Sequence, residues 1–160
     1  MKAAVYRRYG SPGVVSVDEV PRPVPRDDEV LVRIHAATLG VVDSLARRGA
    51  PFYARSHFGL RRPRFPVLGS DFAGQIEAIG PAVTRFAVGD QVFGALAPRF
   101  GAHAEYACLS EQGALAPKPS NVTYAEAAAL ADTTALCFLR DKAVRWLAVA
   151  DLINIGGPGA

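Results

Sequence analysis

The sequence predicts a mainly β fold, a compact barrel or sandwich, that gives way near residue 123 to helices and then to one last strand. Three observations carry this expectation. Through the first two thirds of the chain, short apolar runs are separated by Gly, Pro and Asp turns. One of those runs, EVLVRIHA at 29–36, alternates with a period of two, as a strand covered on one face requires. From Tyr124 to about Ala150 the chain is Ala-rich and carries no Gly or Pro, which suits one or two helices. With 160 residues, half of them apolar, the protein can bury a core without disulfides or a metal.

In chain order, MKAAVY, VVSV, EVLVRIHA, GQIEAI, DQVFGAL and AEYACL read as strands. In EVLVRIHA the alternation puts Val30, Val32 and Ile34 on one side and Leu31, Arg33 and His35 on the other, so His35 is read as a strand residue and not a ligand. Val41 to Arg48 is a short helix ended by Gly49 and Pro51. Gly69, Gly74, Gly80 and Gly89 fall at strand ends or tight corners, where a positive φ or a close backbone approach is expected, and Asp90 suits a turn. Asp71 and Glu77 share a strand-rich segment at a spacing that gives no acid/base geometry. Thr123 and Glu126 form a capping box at the start of the helical stretch, which Asp132-Thr133-Thr134 would break or re-cap. The final LINIGGPGA is a strand-like run entering glycines, the pattern that opens a dinucleotide-binding βαβ unit, with Gly157 and Gly159 as its first two glycines.

The net charge of +3 owes much to arginines, four of them being Arg55, Arg61, Arg62 and Arg64 around His57. Without a nucleic-acid motif the cluster reads as a solvated loop, and no nucleic-acid partner is expected. Cys108 and Cys137 form no CxxC and read as buried thiols; with no signal-like pattern and no long apolar span, a cytoplasmic protein off the membrane is expected.

Three longer stretches, ATLGVVDSLARRG, GSDFAGQIEAIGPAVTRFAVGDQVFG and FGAHAEYACLSEQGALAPKPSNVTYAEAAAL, stand in the order found in the medium-chain dehydrogenase/reductase superfamily. Within it the chain resembles the quinone oxidoreductase, or zeta-crystallin-like, branch. The resemblance implies a GroES-like, partly open β-barrel over residues 1–122. Residues 123–160 would be linking helices and the first strand and glycine turn of a Rossmann domain. It also implies hydride transfer from NADPH to a quinone, an enone or a related carbonyl compound.

In zinc-dependent members of that superfamily, a cysteine stands three residues before the aspartate that Asp43 resembles, and a histidine follows the glycine of the barrel signature. Here those positions are Gly40 and Ser70, with Asp71 in place of a glutamate, so no zinc is expected. Without a metal, hydrogen-bond donors must stabilise the developing oxyanion. The quinone oxidoreductases usually carry an Asn where Gly40 stands, and its amide is missing here. The resemblance leaves Tyr53 as the donor candidate, Gly40 and Val41 as the lining of the nicotinamide pocket, and Thr134 as a second nicotinamide contact. Asp43 would organise the turn. The 160 residues alone are expected to be inactive, and a homodimer could form through a strand edge exposed at Leu152–Ile155. Two alternatives remain: a self-standing GroES-like binding module, and a zinc-type alcohol dehydrogenase.

Overall fold

A computed structural model of the protein describes residues 1–96 and 99–131. The strands are β1 (Lys2–Tyr6), β2 (Val15–Glu19), β3 (Glu29–Ala37), β4 (Asp71–Ile79), β5 (Gln91–Ala95), β6 (Tyr106–Ser110) and β7 (Ala114–Pro117). Helix α1 (Val41–Arg48) and the single turn α2 (Arg55–Phe58) lie between β3 and β4. β1 and β2 pair as an antiparallel ribbon, whereas the other five strands form one antiparallel sheet in the order β6-β3-β4-β5-β7.

That sheet curls into a half-barrel with a core on each face. Phe72, Val92 and Leu115 point into the concave cluster with Val30, Val32 and Ile76, while their neighbours Ala73, Phe93 and Ala116 point outward. On the outer face they meet Ala127, Ala128 and Ala131 of the helical segment 124–131. Because β4 and β5 are covered on both faces, their sequences are nearly unbroken apolar runs. The same double coverage corrects the expectation for β3. Leu31, assigned to the uncovered side, is only 3% exposed, and strict alternation begins at Arg33. Register shifts between Leu31 and Val32 and between Ile34 and Ala36 bend the strand at those points.

Two glycines are required by the curvature. A Cβ on Gly74 would lie 2.1 Å from the Arg33 carbonyl oxygen across the β3–β4 ladder, so only glycine lets the strands approach there. Gly69, at φ +90°, would drive a Cβ into His103. The capping box forms as expected: the Thr123 amide donates to Glu126 Oε2 at 2.8 Å and the Glu126 amide donates to Thr123 Oγ1 at 3.2 Å. His35 is exposed on β3 and stacks on Tyr124 with ring centres 4.4 Å apart, a packing role that joins the sheet to the helical segment.

Candidate functional site

The site is built on the connection between β3 and β4. After Thr38, the exposed Leu39 leads to Gly40, whose φ of −93° and ψ of 173° turn the chain into α1. Asp43, on the first turn of α1, is 1% exposed. Its Oδ2 accepts the Gly40 amide and its Oδ1 the Gly69 amide, each at 2.8 Å. One buried carboxylate thus joins the helix entrance to the loop before β4. That is the organising role expected of it, extended to a partner 26 residues away.

Beside it a second buried carboxylate gathers hydroxyls. Asp71 Oδ2 accepts Ser70 Oγ at 2.7 Å and Thr38 Oγ1 at 3.1 Å, and the Asp71 carbonyl accepts the Thr38 amide. The Thr38 carbonyl is in turn bound by His103 Nε2 at 2.7 Å. Asp71 is therefore a scaffold group, and Glu77, near the other end of β4, pairs instead with Arg22. Sequence reasoning did not find this Thr38–Asp71–His103 frame, since its members are 33 and 65 residues apart.

The donor chemistry at this turn does not fit zinc. Gly40 offers no side-chain atom and the Ser70 hydroxyl is committed to Asp71. Among the described residues no group of three or more His, Cys, Asp or Glu is gathered for a metal. A Cβ placed on Gly40 would meet only ordinary contacts, at 3.6 Å to Asp43 Oδ2 and 3.9 Å to the Val42 amide nitrogen, and the adjoining Val41 is 76% exposed.

Tyr53 lies in a 3-10 turn at Phe52–Ala54 and is 79% exposed; its carbonyl accepts the Ser56 hydroxyl. Among the described residues no hydrogen bond or ring contact joins Tyr53 to the Gly40 turn. Thr134, Gly157 and Gly159, and with them Cys137, lie outside the described residues.

The segment carrying Tyr53 is fastened from beneath. Tyr9 donates its hydroxyl to the Gly59 carbonyl, and Arg55 lies over the Tyr9 and Phe52 rings while donating Nε to the Gly49 carbonyl at 2.9 Å. This corrects the reading of the arginine cluster as wholly solvated. Arg61, Arg62 and Arg64 are exposed, whereas Arg55 is an anchor, because Tyr9, one of the two rings that receive it, comes from a distant part of the sequence.

Cys108 also departs from expectation: it is half-buried, since its strand β6 is an edge of the sheet. It borders a cavity of about 590 Å³ with Phe65, Leu96, Phe100 and Tyr106, apart from Gly40, Val41 and Tyr53. Burial, helped by Glu29, pushes its thiol up to about 11, so it stays protonated and unreactive near neutrality.

Residues 26–120 match the alcohol dehydrogenase GroES-like domain. The chain is 35% identical over 138 residues to the chloroplastic NADPH-dependent alkenal/one oxidoreductase of Arabidopsis thaliana, covering 81% of this chain and 34% of that protein. It is 38% identical over 115 residues to a zinc-type alcohol dehydrogenase-like protein of Staphylococcus aureus, covering 71% of this chain and 31% of that one. Among solved structures, the quinone oxidoreductase of Coxiella burnetii superposes with a TM-score of 0.74 at 30% identity, over 82% of this chain and 41% of that chain. The chain thus spans about a third of the length of the curated relatives it matches. No helix among the described residues is long and apolar enough to cross a membrane. The half-barrel, the matched residues and these likenesses together show that the chain belongs to the alcohol dehydrogenase GroES-like domain family.

Proposed function

We propose that this chain is the substrate-side part of a zinc-independent, NADPH-dependent reductase acting on a quinone, an enone or a related carbonyl compound. The observation that carries the reading is the Gly40–Asp43–Gly69 brace beside Ser70–Asp71. At the two positions where zinc-dependent relatives need ligands, this chain has a bare backbone and a hydroxyl already spent on a carboxylate. The NADPH-dependent relative adds support for the cofactor.

When bound, the dinucleotide supplies the hydride. Gly40 and Val41 offer it a partly exposed backbone without a side chain and an apolar side chain, with Thr134 as a further contact and Gly157 and Gly159 on the phosphate side. Asp43 keeps the turn fixed so that the ring has a rigid seat. Tyr53 donates its hydroxyl to the oxygen on which negative charge develops. Residues 1–122 form the barrel domain, and 123–160 lead into the cofactor domain. Two copies pair in the cytoplasm. Residues 1–160 alone turn over no substrate, because the relatives devote about two thirds of their length to parts this chain does not match.

The test is NADPH oxidation with a quinone and with an enone, measured on residues 1–160 and on a version continued through the downstream reading frame. Each is first dialysed against chelator. Activity is expected only in the longer version and without zinc. About one retained zinc per chain would shift the reading to a zinc-type alcohol dehydrogenase, as the Staphylococcus aureus likeness favours. An inactive longer version would favour a self-standing binding module, and submillimolar NADPH binding by residues 1–160 would overturn the division of labour.

A further inference from the structure

A small cleft at the far end of α1 from Gly40 has no part in the proposed reaction. Its volume is about 310 Å³ and it is lined by Gly10, Ser11, Pro12, Arg47 and Arg48, with no acidic side chain among them. Arg47 is 9% exposed, and the two ion pairs among the described residues, Arg7–Asp18 and Arg22–Glu77, involve neither it nor Arg48. No buried side-chain nitrogen or oxygen among the described residues lacks a hydrogen-bond partner, so the Arg47 guanidinium nitrogens that bond to no protein atom keep access to solvent, and their purpose asks for an explanation.

The ordinary explanation is that arginines in a last helical turn satisfy the helix's terminal carbonyls. Those carbonyls are already taken by backbone amides. Gly49 N donates to Ala46 O at 3.0 Å, Ala50 N to Leu45 O at 3.0 Å and Gly10 N to Arg47 O at 3.1 Å. The side chain of Arg47 spends one N–H on the Gly10 carbonyl and lines the cleft, so that its remaining donors, none of them buried without a partner, are free for a ligand there. Ser11 stands at the start of a 3-10 turn and makes no side-chain capping bond, so its hydroxyl is available as well.

We infer that this cleft binds a phosphate-type oxyanion, held by Arg47, Arg48 and the Ser11 hydroxyl. The guanidinium fork matches the tetrahedral oxygens, and the half-buried position strengthens each charge-assisted bond. The oxyanion is either free inorganic phosphate or the terminal phosphate of a nucleotide. The site is independent of the reductase reading, since α1 separates it from the Gly40 turn.

Inorganic phosphate titrated into residues 1–160 at constant ionic strength, followed by amide NMR, tests this directly, with chloride as the control. A saturable shift at Gly10, Ser11, Arg47 and Arg48 in the millimolar range or tighter is expected with phosphate and absent with chloride. Arg48 and Ser11 are exposed, so Arg48→Ala and Ser11→Ala leave the fold intact; Arg48→Ala weakens binding about tenfold. A parallel titration with adenosine 2′-monophosphate separates the sources: tighter binding than inorganic phosphate identifies a nucleotide phosphate, and equal or weaker binding identifies free phosphate. Non-saturating shifts, the same shifts with chloride, or unchanged affinity in Arg48→Ala would overturn the site. None of these readouts depends on reductase activity.

Discussion

The half-barrel and the connection from Thr38 to Pro66 spend their apolar residues in opposite ways. In the sheet Val30, Val32, Phe72, Ile76, Val92 and Leu115 are at most 1% exposed. In the connection Leu39, Val41, Phe52, Tyr53 and Leu60 are between 65% and 82% exposed. The sheet is held by packing on two faces. The connection is held by a few inward attachments, namely Asp43 on two amides, Arg55 on Tyr9 and Gly49, and Phe58 in the cluster beneath α1. An apolar exterior on a firmly backed segment is the kind of surface the proposed function would use.

The contrast can be broken most severely inside the sheet. Gly74→Ala places a methyl against the Arg33 carbonyl and Val32, and neither can move without shifting β3. A loss of at least about 3 kcal/mol in denaturant unfolding is expected, and a near-normal midpoint would show that the β3–β4 approach is looser than described.

Next in size is the brace beneath the connection. Asp43→Ala leaves the Gly40 and Gly69 amides without their acceptor and should cost about 2–4 kcal/mol. Asp43→Asn keeps an oxygen for one of them and should cost less; equal losses would argue that charge, not hydrogen bonding, is what the site needs.

Alkaline pH should loosen the same corner. Tyr6, 1% exposed under α1, has its phenol raised from 10.0 to about 12 by burial and by the nearby Tyr9 and Asp43. Since the folded chain favours the neutral phenol, the unfolded chain loses its proton first. The stabilisation is intact below about pH 10 and is lost as the pH rises toward 12, roughly 3 kcal/mol in all. Cys108 acts in the same direction from 9.0 to about 11. Unfolding midpoints followed from pH 8 to 12 should fall, and less steeply in Tyr6→Phe; identical slopes would remove Tyr6 from the account.

The smallest effects are expected on the outer surface. Tyr53→Phe and Gly40→Asn should each change stability by no more than about 0.5 kcal/mol, because Tyr53 is solvated and a Cβ at Gly40 meets only ordinary contacts. On the proposed function, the same substitutions in the longer version should alter turnover, Tyr53→Phe downward through loss of the proposed donor. A large stability loss in either would mean that this surface is structural.

The features legible in the sequence are those fixed over a few residues. Helix α1 begins and ends where Gly40 and Gly49 stand, the Thr123–Glu126 box closes on itself, and Gly69 and Gly89 take the positive φ values their turns need. Strand β7 escaped notice because Pro117 reads as a breaker, although at the end of an edge strand its missing N–H costs nothing. The proposal of a zinc-free site rests on the identity of Gly40 and Ser70 at positions that the family resemblance marks, since ligand chemistry is a property of residue type. The hydrogen-bonded frame around those positions was decided by the tertiary structure alone. Asp43 meets Gly69, Thr38 meets Asp71 and His103 meets Thr38 because sheet register and the curl of the barrel bring distant segments within hydrogen-bonding range, and no local pattern encodes those distances.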